Sequence, residues 1–317
     1  MKKTSRGLAA IERARDDRSQ GRVRWGAHAG SLAAAAIIGS FIAYKVVSAR
    51  ELNDGKQALL AKQRAVAATL GSEWFPLRDK LESGVLASAR EYAGDMIDPR
   101  ARRREWRSQP GVYLRMRVAE AKDAASVRAV AADSRKDGFV ACLLREPNER
   151  GARGEVAGGA FAEQPWNLAQ AYGATRILTD DWVHVVKDAD DDLRLRIFRE
   201  QYEKAAREEI PLAVDVVKRA QFFLLVLDED VPEAIPFADG GVLTEGALQL
   251  VGHPARVHLF ELPSGKEILR LRRSGEARVI PAGERVVTDP ETRDAMQRQA
   301  NNCALAGSVD AELGRSP

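Results

Sequence analysis

Three consecutive carboxylates, Asp228, Glu229 and Asp230, close an unbroken apolar run and are the residues whose types come nearest to a reactive set. Groups at the ends of strands commonly form sites, and such a cluster can hold a divalent cation or divide acid and base roles. The same triplet is also an ordinary polar turn after a strand. Asp188 with Asp190, Asp191 and Asp192 has a passing likeness to a calcium loop but lacks its Gly and closing Glu, and reads more simply as a helix start.

Four histidines, His28, His184, His253 and His258, have no acidic or Cys partner at metal-ligand spacing. The sequence therefore predicts structural histidines, no metal site and no cofactor. No Gly-Lys-Ser/Thr ending follows the glycines of the 147–165 stretch, and the dinucleotide fingerprint is missing, as are G-x-S-x-G, H-E-x-x-H and paired Ser and Lys motifs.

A second cluster is basic. Arg100, Arg102, Arg103, Arg104 and Arg107 lie between Asp98-Pro99 and Pro110-Gly111, and form a candidate site for anionic lipid headgroups or phosphorylated polymers. The preferred reading is a solvated basic linker with Trp106 tucked under it. A net charge of +3 over 317 residues gives no support for a nucleic-acid partner, and 45% hydrophobic with 30% charged residues is the composition of a globular protein.

The elements that would position these groups begin at residues 25–44, from Trp25 to Tyr44, whose centre carries no charge. Twenty residues at the helical rise reach roughly 30 Å, a bilayer core, with the amphipathic rings of Trp25 and Tyr44 at headgroup level and Lys45 able to extend to the interface. Arg6, Arg13, Arg15, Arg18, Arg22 and Arg24 precede it, against Arg50, Lys56, Lys62 and Arg64 beyond, so the N-terminus is expected to be cytoplasmic and the rest extracytoplasmic. Val47-Ser48-Ala49 is the rival cleavage site of a signal peptide, disfavoured by the length of the apolar stretch and by Lys45. Gly26 and Gly30, with the segment that follows, offer a face for self-association in lipid.

The organisation expected is a basic cytoplasmic tail (1–24), a transmembrane helix (25–48), a membrane-proximal helical stalk (49–97) interrupted at Gly71, an Arg-rich linker (98–111), an α+β globular domain (112–303) and a flexible tail (304–317). Within the domain, Val112, Leu114, Met116 and Val118 alternate with Tyr113, Arg115 and Arg117, which predicts a strand with one buried face. Residues 124–135 read as an amphipathic helix, and 139–144 as a strand holding Cys142 as a core residue. Residues 166–187 read as helical with a break near Thr179. Asp190 to Asp192 open a long helix that Pro211 should kink or divide.

Residues 221–228 read as a central strand buried on both faces, and 257–272 as a hairpin turning at Pro263-Ser264-Gly265. That hairpin resembles one hairpin of a β-propeller blade, but it occurs once, so the likeness is to a local unit and not to a fold. The fold class expected is thus α+β, a mostly antiparallel or mixed sheet with packed helices behind a single transmembrane helix and stalk.

Cys142 and Cys303 can form one long-range disulfide if the domain is exported. The function expected is a non-enzymatic binding or scaffolding component of the cell envelope, anchored in the inner (cytoplasmic) membrane through 25–48, with an envelope protein as partner and a possible homodimer through the Gly26/Gly30 face and stalk. The alternatives are an exported cation-dependent hydrolase that uses Asp228 to Asp230 under a 147–165 lid, and a cytoplasmic-facing domain on a reversed anchor.

Overall fold

The computed structural model describes the backbone of residues 5–134, 137–144, 166–231, 245–277 and 289–314, with side chains from residue 40 onward except 42, 43 and 245. The expected lid (147–165) lies outside the described residues. The chain divides into two compact units, 1–62 with 185–199, and 63–184 with 200–317.

Helix α1 (Ser5–Ala89) runs without a break through both Gly71 and Pro76. Gly71 was the expected interruption. A mid-helix glycine costs only about 1 kcal/mol, which packing readily outweighs. In the structure the Phe75 ring, one turn on, lies 3.1 Å from where a Cβ at residue 71 would sit.

Among the described residues no helix is long and apolar enough to cross a membrane. Most of the expected span 25–48 is not covered by that statement: the side chain of Trp25 and the surroundings of Gly26 and Gly30 lie outside the described residues. Of the remainder, Phe41, Tyr44, Val46 and Val47 are exposed, and the Lys45 ammonium lies 5.8 Å from the Phe41 ring centroid.

In the first unit, residues 185–199 lie close to α1 at a glycine. A Cβ on Gly55 would fall 2.8 Å from Leu195 Cδ2, and Lys56 Nζ donates to the Lys187 carbonyl at 2.8 Å. The carboxylate of Asp191 accepts from the Arg194 backbone N–H at 2.7 Å, the capping use of this acidic run.

The second unit is α+β around a mixed six-stranded sheet. Along the whole chain after α1, β1 (Met96–Ile97), α2 (Pro99–Arg102), β2 (Gly111–Arg117), α3 (Ala124–Asp133), α4 (Gly138–Leu144), β3 (Trp166–Asn167), α5 (Ala169–Thr175), α6 (Asp180–Lys187), α7 (Asp192–Lys204) and α8 (Ile210–Arg219) precede β4 (Phe222–Asp228), with the end of α6 and most of α7 belonging to the first unit. α9 (Glu245–Leu248), β5 (His253–Glu261), β6 (Lys266–Gly275) and α10 (Pro290–Gly314) follow. The strand order is β1-β6-β5-β4-β2-β3, with β2 parallel to β4 and β3 and the other pairs antiparallel.

Every residue of β4 is buried, as a strand covered on both faces requires. One face, with Tyr113, Phe222, Leu224, Val226, Val257 and Leu259, packs on α4 and α10 through Phe139, Leu143, Leu305 and Val309. The hairpin turns as its residues dictate, with Gly265 at a φ of +67°.

Four expectations are corrected. Residues 139–144 form helix α4, not a strand; six apolar residues in a row are compatible with either, and here they bury Phe139, Val140 and Leu143 against the sheet. The strand β2 has no wet face, since Arg115 is wholly buried beneath α10. Residues 166–167 are a short strand that pairs with β2 ahead of the expected helix. The closing helix runs on to Gly314 because Leu305, Val309 and Leu313 keep a core-facing stripe, so most of the expected flexible tail (304–317) is ordered helix.

Pro211 sits in the first turn of α8, after a π-helical stretch Ala205–Glu209 that absorbs the missing hydrogen bond. Cys142 on α4 and Cys303 on α10 are joined as a disulfide, with 5.1 Å between their Cα atoms.

Candidate functional site

The acidic triplet does not converge. Each carboxylate is instead engaged by different arginines. Asp228, wholly buried, accepts two hydrogen bonds of 2.8 Å from Arg115 Nε and Nη2 and one of 2.9 Å from His253 Nε2. Glu229 takes Arg256 at 2.6 Å and also Arg272. Asp230 takes Arg117 at 2.7 and 2.8 Å. Among the described residues no group of His, Cys, Asp and Glu is disposed to hold a metal ion.

Burial alone would raise the Asp228 carboxyl. The Arg115 charge, the His253 hydrogen bond and the Arg115 hydrogen bonds outweigh it, and hold the group at about 2. Burial likewise works against the Arg115 charge, but Asp228 and Asp137 drive its pKa well above the usual guanidinium value. Arg115 also donates to Asn302 at 2.6 Å and Asp137 at 3.1 Å, and Tyr113 donates to Asp137 at 2.6 Å. These groups form a satisfied polar network that ties β2, β4, β5 and α10 together, a structural role with no open position for a substrate.

The basic cluster is similarly occupied. Arg100 pairs with Asp98 at 3.1 Å and Glu261 at 2.8 Å, and Arg102 donates to the Glu312 carbonyl at 3.2 Å. Arg104 and Arg107 both bind Asp310, at 3.0 and 2.6 Å. Arg103 is exposed, while Trp106 is buried and donates to the Ala101 carbonyl at 3.0 Å. Arg102, Arg104 and Arg107 thus clasp the C-terminal end of α10.

Of the histidines with described side chains, His184 is exposed and His253 belongs to the Asp228 network. His258 differs. Its Nδ1 donates to Glu267 Oε1 at 2.6 Å across the hairpin, and its Nε2, although buried, has no hydrogen-bond partner. Alternation along β5 sends Val257 and Leu259 toward α10, and Arg256, His258 and Phe260 to the opposite face. There the ring of His258 stacks on Phe260 and lines a cavity of about 210 Å³.

The cavity is closed by Ser88, Glu91 and Tyr92 from the end of α1 and the turn after it, and by Glu267 and Arg270 of β6. Burial works to raise the Glu267 carboxyl, but hydrogen bonds and charge from His258 and Arg270 prevail and keep it below its usual range. An ionised Glu267 accepts only, so the shared proton belongs to Nδ1. Buried polar atoms normally find a partner, so a lone buried imidazole nitrogen beside a cavity marks a site. Ser88 lines the same cavity, and no hydrogen bond joins it to Nε2.

The His258–Glu267 pair escaped sequence reasoning because the two residues meet only across a hairpin whose register shifts between Leu259 and Phe260. Compared with known proteins, the chain matches no family model, no curated protein and no solved structure. What the structure defines is an α+β domain with a cavity lined in part by His258.

Proposed function

We propose that this is a single-pass membrane-anchored protein, held through residues 25–48, whose α+β domain works outside the cytoplasm as a non-enzymatic binding component of the cell envelope. The observation that carries the reading is the disulfide between Cys142 and Cys303, because such bridges persist in oxidising compartments and not in the cytosol. Phe41, Tyr44, Val46 and Val47 add to it: they point in different directions around α1 and none is covered by protein, as lipid-facing residues would be. Binding is favoured over hydrolysis because Asp228, Glu229 and Asp230 are each committed to arginine and the His258 cleft lacks a nucleophile in reach.

The test is protease accessibility of a C-terminal tag in cells whose outer barrier has been permeabilised. Loss of the tag with a cytosolic control intact is the expected result. A tag cleaved only after the membrane is dissolved would reverse the anchor and overturn the reading.

A further inference from the structure

We infer that the groove between α1, the end of α8 and the β5–β6 turn takes a short aliphatic carboxylate, its chain on an apolar floor and its charge on Lys80. The inference rests on the reading of the domain as a binding module, and not on which side of a membrane it faces.

The floor is apolar. Leu81, Val217 and Ala220 are buried beneath the groove, and Leu77, Leu262 and Pro263 complete its walls. The space, about 290 Å³, equals about ten waters at roughly 30 Å³ each, room for a chain of about six carbons with its headgroup.

The charged groups in the lining are two ammoniums, Lys80 and Lys218. Lys218 is answered by Glu73 at 2.5 Å. Lys80 donates to the Leu262 backbone carbonyl, a neutral acceptor, and forms no ion pair among the described residues. An ammonium carries three hydrogens, so this bond fixes Lys80 at the groove wall and leaves two to donate.

The surroundings do not supply the missing negative charge. Asp79 pairs with Arg78 at 2.6 Å, and Asp215 with Arg219 at 2.5 Å. Asp98 and Glu261 share Arg100, and Lys266, opposite Glu261 in the hairpin ladder, balances the second carboxylate. α8 ends beside the groove, but a helix end carries only about half a negative charge, less than the full charge on Lys80. One positioned cation therefore stands over an apolar floor, which suits a carboxylate whose tail is better out of water.

The experiment uses the full chain in nanodiscs of zwitterionic lipid, with ¹³C-methyl-labelled leucine and valine. Three probes of one chain length and different charge are titrated: hexanoate, hexanol and hexylamine. Hexanoate should move the Leu81 and Val217 methyl resonances saturably and bind at least about tenfold more tightly than hexanol, with hexylamine weakest. Lys80→Gln, at an exposed position, should bring hexanoate down to the level of hexanol while leaving the fold intact. A short peptide ending in leucine, as the acid and as the amide, separates the sources: an acid that binds more tightly than hexanoate makes the ligand a chain terminus, and a weaker one makes it a free acid.

Equal affinity for the three probes, preference for hexylamine, undiminished hexanoate binding by Lys80→Gln, or shifts confined to residues outside the groove would each overturn the inference. None of these results would alter the outcome of the protease experiment, so the two readings fail separately.

Discussion

Arg115 and Asp228, on adjacent parallel strands, share two hydrogen bonds of 2.8 Å with both side chains wholly buried. The carboxylate that the sequence marks most plainly for chemistry is thus the anchor point of the sheet. Its replacement should be read in stability.

Asp228→Asn leaves the Arg115 guanidinium buried without its bidentate partner. Breaking a buried pair in this way costs about 3–5 kcal/mol. Asp230→Asn removes a partly exposed partner of Arg117 and should cost no more than about 1 kcal/mol. Urea unfolding of the full chain in micelles separates the two; equal and small effects would contradict the network described above.

Acid should weaken the domain through the same residue. The Asp228 carboxyl is held at about 2, below the ordinary value near 3.9, so the native state binds fewer protons than the unfolded one in that interval. Its contribution is complete above about pH 5 and is lost as pH falls from about 4 toward 2, on the order of 2 kcal/mol in all. Denaturation midpoints measured against pH should show this limb in the wild type and lack it in Asp228→Asn.

Both cysteines should resist maleimide labelling after denaturation without reductant, because the structure joins them. The bridge spans a sequence separation of 161 and links α4 to α10. Cys303→Ala should lower stability by about 2–4 kcal/mol, and the loss should match that of the reduced wild type.

Gly275 lies where β6 passes under α10. A Cβ there would fall 2.4 Å from the Leu305 backbone N and 2.5 Å from the Asn301 carbonyl oxygen, neither of which can turn aside like a side chain. Gly275→Ala should therefore cost about 2 kcal/mol or more, whereas Gly307→Ala, with open space around it, should be neutral or stabilising. Paired thermal melts check this.

Legibility in the sequence tracked how local each cause was. Phe222 to Leu227 could be read as a strand buried on both faces, and Gly265 as a left-handed turn residue, because the deciding chemistry lies within a few positions. Residues 139–144 were misread because a short apolar run satisfies strand and buried helix alike, and only its neighbour α10 decides. Arg115 was expected in water because a charge on an alternating strand usually faces out. Asp228, Asp137 and Asn302 reach it from 113, 22 and 187 residues away, and no local pattern announces them.

The candidate site was the least legible part. Asp228, Glu229 and Asp230 drew attention by adjacency, although each is taken up by different arginines distant in sequence. His258 and Glu267 carried no motif, and their pairing was created by the fold.

The sheet margins carry one more consequence. Its outermost strands, β1 and β3, are each two residues long. Each covers only two positions of a longer neighbour: Met96 and Ile97 pair with Arg270 and Leu269 of β6, and Trp166 and Asn167 pair with Val112 and Tyr113 of β2. A strand joining either flank would therefore have to run past a two-residue strand and continue along β6 or β2, where side chains and not a ready-made ladder would set its register.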